Sequence, residues 1–293
     1  MGQEPPRLPA MKIGFNLLLW TTHVVEENFP VLAKLKATGY DGVEIPVFDT
    51  SDPGHFKMLG GVLKDHGLDV TAVTVCGAEE CNPISPDAAN RQGAVDHLKT
   101  VLDCAAAAGA EVLCGPYYQV LGNFTGNYPS EQELEHGAEV HRQVADHAES
   151  VNIKLGIESL NRFEAHLLNT IEQAKSYVRR VNKPAFGTMY DTFHANIEEK
   201  DPLGALREGM DVFNHVHISE NDRGTPGKGH TPIVETIKIL KESGYDKWLT
   251  IEAFGSALPD LAAATCVWRD FFPNAEEVYE EGYKLIRETW DNA

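Results

Sequence analysis

Eight short runs of β-branched and apolar residues, each followed by a longer stretch with helical patterning, limit what this chain can fold into. The runs are KIGFNLLL (12–19), GVEIPV (42–47), DVTAVTV (69–75), EVLCG (111–115), IKLGIE (153–158), FGTMYD (186–191), FNHVHI (213–218) and WLTIE (248–252). Apolar strands alternating with helices indicate βα units and a parallel sheet covered on both faces. Successive runs start 27 residues apart at the closest (42 to 69) and 42 at the widest (69 to 111), a spacing that suits a (β/α)8 barrel with some extended loops. Several intervening stretches, such as FPVLAKLKATG and TPIVETIKILKESG, close on the Gly expected just past a helix C-terminus. The last segment, AEEVYEEGYKLIRETW, supplies an eighth helix. A doubly wound open sheet is the competing architecture, but no G-x-G-x-x-G turn follows the first run, and eight units suit closure. The expected fold is therefore a single-domain α/β chain, a (β/α)8 TIM barrel over residues 11–293. The Pro-rich MGQEPPRLPA (1–10) lacks the apolar core of a secretory signal and reads as a flexible leader.

Charge and cysteine usage narrow the partners. Lys and Arg total 25 against 44 Asp and Glu, a formal net charge of −19, and a surface of that sign repels phosphate backbones and anionic lipid. No stretch of about 18 apolar residues is present to span a bilayer. Nucleic acid and membrane are thus excluded as expected partners. Cys76, Cys81, Cys104, Cys114 and Cys266 form an odd, scattered set, which suits reduced thiols in a cytoplasmic protein, and Cys76 and Cys81 lack the spacing of a zinc half-site.

In a barrel of this kind the chemistry gathers at the C-terminal ends of the strands. The last four runs end in Glu158, Asp191, His217 and Glu252, one from each βα unit. One polar strand end is commonly just a solvated turn; four in succession, all able to bind a divalent cation, read as a site. Three carboxylates and one imidazole make a mainly oxygen donor set suited to Mn²⁺, Co²⁺ or Mg²⁺, whereas structural zinc favours thiolates. His215 and His217 share one face of their strand; His217, nearer the strand end, is the expected ligand and His215 a deeper barrel residue. Glu164, His194 and Arg223 follow the same strands and offer polar groups able to hold sugar oxygens. Arg162, between the glutamates of ESLNRFE, reads as a structural salt bridge.

These residues resemble the ketose 3-epimerases, the D-tagatose, D-allulose (D-psicose) and L-ribulose 3-epimerase group of the xylose isomerase-like barrels. The motifs carrying the resemblance are ESLNRFE (158–164), DTFHANIEE (191–199), HVHISENDRGTPGKG (215–229) and VWRD (267–270). It implies metal ligation by Glu158, Asp191, His217 and Glu252, with substrate held by Glu164, His194 and Arg223 and lined by Phe254 and by Trp20, for which a place in the core is the equal alternative. It further implies epimerisation at C3 of a small free ketose through a metal-stabilised cis-enediolate, Glu158 and Glu252 removing and returning the proton on opposite faces. A homodimer or homotetramer is the implied assembly. An aldose–ketose isomerase or an inosose-type dehydratase of the same superfamily is the alternative. Two departures from the family pattern bear on substrate choice: Ala253 where E-P-F is frequent, and a strand-four loop, YYQVLGNFTG, without tryptophan.

Overall fold

The computed structural model describes residues 11–293; the leader assigned to residues 1–10 lies outside them. Eight strands, β1 (Lys12–Asn16), β2 (Gly42–Pro46), β3 (Asp69–Val73), β4 (Ala110–Gly115), β5 (Lys154–Ile157), β6 (Phe186–Asp191), β7 (Phe213–Ile218) and β8 (Trp248–Ile251), pair in parallel in chain order. β1 also pairs with β8, which closes the barrel and removes both sheet edges. The crossovers carry α1 (Phe29–Thr38), α2 (Pro53–Asp65), α3 (Ala88–Ala108), α4 (Glu131–Ser150) and α5 (Ile171–Val181). After β6 come α6 (Thr192–Glu198) and α7 (Pro202–Gly209), after β7 α8 (Ile233–Glu242), and after β8 α9 (Pro259–Ala264) and α10 (Ala275–Asn292). Among these residues no helix is long and apolar enough to cross a membrane.

Local signals set the helix starts. Ser130 and Thr170 each accept from the backbone N–H three residues on, while Glu133 and Gln173 reach back, so α4 and α5 both open on a capping box. A large apolar core fills the space between the sheet and the helices, including Phe15, Val43, Leu98, Leu155, Phe213 and Ile237. A smaller cluster, including Val112, Cys114, Met189 and Trp248, packs separately.

The structure trims the first expected strand. Asn16 accepts a hydrogen bond from the Leu18 N–H (2.8 Å), and this side-chain cap turns Leu17–Leu19 into a single 3-10 turn instead of three more strand residues. Gly115, at the end of β4, has φ of +120°. A Cβ there would stand 2.2 Å from the Thr74 carbonyl oxygen, so only glycine lets the two segments meet at the barrel rim.

Candidate metal and substrate site

Closure of the barrel converts four residues scattered over 95 positions into one cluster. Glu158 and Glu252 stand one residue beyond β5 and β8, Asp191 ends β6, and His217 is the penultimate residue of β7. One ligand atom from each of the four lies within 4.8 Å of every other, and all four side chains are buried. Register pairs Asp191 with His217 across β6 and β7. Asp191 divides its carboxylate: Oδ1 caps α6, accepting from the Phe193 and His194 N–H groups (2.7 and 3.0 Å), while Oδ2 is buried without a hydrogen-bond partner. His217 Nδ1 is likewise buried without one, 3.5 Å from Asp191 Oδ2 and 3.4 Å from Glu252 Oε1.

Two orphaned buried atoms facing one point require an explanation, and the electrostatics point to a cation. Burial drives the Glu158 carboxyl well above its usual range, with Glu252 and Asp191 adding to the rise. Burial also lifts Glu252 to about 7, Asp191 and Glu44 adding to it and His217 and Arg223 opposing. Three carboxylates around one point resist ionising together, and a divalent ion at that point would relieve the repulsion. The donor set of three carboxylates and one imidazole nitrogen fits such an ion.

One participant escaped the sequence reading. Glu44, on β2, is wholly buried and organises the inner side of the site. His217 Nε2 donates to its Oε1 (2.7 Å), Asn16 Nδ2 donates to Oε1 (2.9 Å), and Thr71 Oγ1 donates to Oε2 (3.0 Å). His215 Nε2 and Cys114 Sγ lie 2.9 and 3.1 Å from Oε2. Register brings Asn16 and Thr71 alongside Glu44. Burial alone would raise the Glu44 pKa, but His217 and His215 outweigh it and hold the carboxyl well below its usual range. By accepting the Nε2–H hydrogen bond, Glu44 fixes the His217 tautomer that turns the Nδ1 lone pair toward the cluster. The signal was in GVEIPV: a single charge between Val43 and Ile45 in a strand buried on both faces. His215 sits where expected, deeper in the barrel.

The expected sugar contacts sort into two sets. Glu164 pairs with Arg223 (Nη1 to Oε1, 3.2 Å) and accepts from Asn161 Nδ2 (2.9 Å). Burial would raise its carboxyl, but Arg223 and His194 outweigh that and lower it. The Arg223 guanidinium lies over the rings of Phe193 (4.1 Å) and Phe254 (5.0 Å). Its backbone has φ of +60°, a costly conformation for a residue with a side chain, of a kind concentrated at functional sites. Glu220 holds that loop in place, accepting from the Gly227 and Thr231 N–H groups at 2.9 Å each. His194, kept neutral by burial with a pKa near 4, accepts at Nδ1 from the Asn161 N–H (2.9 Å), which leaves its proton on Nε2, 3.5 Å from Glu158 Oε1.

Above the cluster lies a cavity of about 310 Å³, bordered by Glu158, Glu164, His194, Arg223, Glu252 and Phe254, with Leu18, Phe48 and Leu261 among its apolar walls. Trp20 is not among them. Because the 3-10 turn ends β1 early, Leu18 faces the cavity and Trp20 packs on Phe15 (5.0 Å) and Tyr279 (6.3 Å). Arg162 pairs with Glu198, Nε to Oε1 and Nη2 to Oε2 both at 3.0 Å, and tethers the loop after β5 to α6.

Comparison with known proteins decides the family. The profile described as Xylose isomerase-like TIM barrel matches residues 32–289. The chain belongs to that family. A ketose 3-epimerase of Arthrobacter globiformis is 31% identical over 95% of this chain and 96% of its own length. A probable ketose 3-epimerase of Synechocystis is 28% identical, covering 96% and 98%. The crystal structure of a D-allulose 3-epimerase from Methylomonas in complex with D-allulose superimposes with a TM-score of 0.88 at 25% identity, covering 96% of this chain and 98% of that one. This xylose isomerase-like barrel is therefore an enzyme of the isomerase class, in the ketose 3-epimerase branch.

Proposed function

We propose that the chain epimerises free ketoses of the D-tagatose, D-fructose/D-allulose and L-ribulose class at C3, with Mn²⁺ or Co²⁺, or Mg²⁺, held by Glu158, Asp191, His217 and Glu252. The observation that carries the reading is the pair of buried carboxylates of raised pKa, Glu158 and Glu252. They reach one point from strands three apart around an eight-stranded ring. A carbon whose configuration inverts needs a base on one face and an acid on the other, and the ideal pKa of each lies near the working pH. Glu252 takes or gives the C3 proton on one side and Glu158 on the other. A bound divalent ion would supply positive charge to offset the negative charge that develops on the sugar oxygens when that proton leaves.

The surrounding residues prepare both carboxylates. Asn16 Nδ2, 3.3 Å from Glu252 Oε1, steadies one, and His194 Nε2 lies 3.5 Å from Oε1 of the other. Glu164 and Arg223, paired above the floor of the cavity, hold hydroxyl groups away from the reacting carbon. The apolar walls limit water around the deprotonated sugar. A small-molecule ketose as the sole partner, a homodimer or homotetramer, and a cytoplasmic location complete the proposal.

The deciding experiment incubates metal-loaded protein with D-fructose, D-tagatose, D-allulose or L-ribulose in D₂O and follows the sugars by NMR. Deuterium at C3 with growth of the C3 epimer is expected. Exchange at C1 with an aldose product would replace the reading by aldose–ketose isomerisation, and loss of water from an inosose by dehydration.

A further inference from the structure

We infer that the substrate site extends beyond one sugar ring, and that the enzyme accepts ketoses bearing a glycosyl group at the end remote from C3. This inference rests on the proposed function. The inner cavity of about 310 Å³ adjoins an outer space of about 670 Å³. Five residues border both: Leu121 from the loop after β4, Glu164 after β5, Arg223 after β7, and Ala264 and Thr265 after β8. Residues from the segments after four strands thus border both spaces, which lie side by side, with the acid–base pair lining the inner one alone.

The outer space is built like a sugar site. Among the described residues eight large hydrophobic side chains are exposed, and three of them, Leu121, Phe163 and Ile197, line this vestibule. Phe163 is 75% exposed, although the loop that carries it is pinned on either side, by the Arg162–Glu198 pair and the Glu164–Arg223 pair. An aromatic face left bare on a fixed loop beside a binding cavity is a platform for a ligand. Phe271, stacked under Arg269 (4.5 Å), forms a second aromatic wall. Asn221, Asp222 and Arg269 supply donors and acceptors along the same lining. Apolar faces with a few polar groups between them match a pyranose ring, which is apolar on its C–H face and polar at its rim. The chemistry at C3 is unchanged, the proton leaving and returning there, so the glycosidic bond stays intact and no co-reactant is needed.

The test uses isomaltulose, D-fructose carrying a glucosyl group on O6, beside D-fructose, with the metal-loaded enzyme in D₂O. The expected result is deuterium at C3 of the ketose unit of both sugars, with kcat/KM for the disaccharide within about tenfold of that for the monosaccharide. Turnover of D-fructose with refusal of isomaltulose overturns the inference and leaves the C3-epimerase reading standing; a second copy of the chain seated in the vestibule gives that same result. Inertness toward both, and toward the other free ketoses, overturns both. Phe163→Ala should lower the disaccharide-to-monosaccharide ratio of kcat/KM about tenfold, the worth of one good stacking contact. An unchanged ratio removes the vestibule from substrate binding.

Discussion

The two ends of the barrel are made from the same strands and treat charge in opposite ways. At the N-terminal end Lys12 pairs with Asp69 (2.9 Å) and Glu111 (2.6 Å), and its ammonium lies over the Trp248 ring. Trp248 Nε1 in turn donates to Glu111 Oε2 (3.0 Å). Each charge there has a partner and partial contact with water. At the C-terminal end Glu158, Asp191 and Glu252 crowd together almost dry, and two buried atoms, Asp191 Oδ2 and His217 Nδ1, face the cluster unbonded. The lower end pairs its charges, and the upper end crowds like charges in the way functional sites do.

The sharpest way to break the contrast is Glu252→Gln, which keeps the shape and removes a proton carrier. Turnover of the accepted ketose, followed by NMR, should fall at least about 10³-fold, while circular dichroism shows an intact fold. Full activity in that variant would remove the two-glutamate mechanism.

Removing the metal should expose the strain as a pH dependence. The folded-state pKa of Glu252 is raised from 4.5 to about 7, so its contribution favours folding below pH 4.5 and is lost as pH rises through about 7. The full loss for that one group is roughly 3 kcal/mol. His217, whose pKa is raised because Glu44 and Glu252 outweigh burial, acts in the same direction. The melting temperature of chelator-treated protein should therefore drop between pH 5.5 and 8, and Mn²⁺ should restore more at pH 8 than at pH 5.5. A flat metal-free profile would contradict the crowding.

Glu44→Gln probes the inner support of the site. Loss of the carboxylate that holds His217 should weaken Mn²⁺ binding about 10- to 100-fold by calorimetry. Unchanged affinity would make Glu44 a packing residue. The smallest effect belongs to the other end: Lys12→Met, at a part-exposed pair, should cost no more than about 1 kcal/mol in denaturant unfolding. A change in Mn²⁺ affinity or turnover in that variant would mean that the two ends are coupled.

Much of this is legible in the sequence. The period of the apolar runs placed all eight strands, and the polar residues finishing the last four identified the cluster, because strand-end position and chemical type are both local properties. Two residues needed the structure, for different reasons. For Trp20 the pocket wall and the core were both open from sequence; a side-chain cap on Leu18 ends β1 three residues early, and Trp20 packs on Phe15 and Tyr279. Glu44 was overlooked because GVEIPV shows a lone charge in a buried strand but not what that charge meets; its worth comes from His217, His215, Asn16 and Thr71, which are remote in sequence.

The sequence by itself determined the βα rhythm, the acidic balance and the donor types available at each strand end. It set these because they depend on residue identity and short-range spacing. Only closure of β1 onto β8 decided which oxygen of Asp191 and which nitrogen of His217 would face the cluster, how far the carboxyl pKa values would rise, and that the cavity would lie beside a second space. Those properties arise from distances of a few ångströms between residues up to 236 positions apart, such as Asn16 and Glu252, and such distances exist only once the ring is shut.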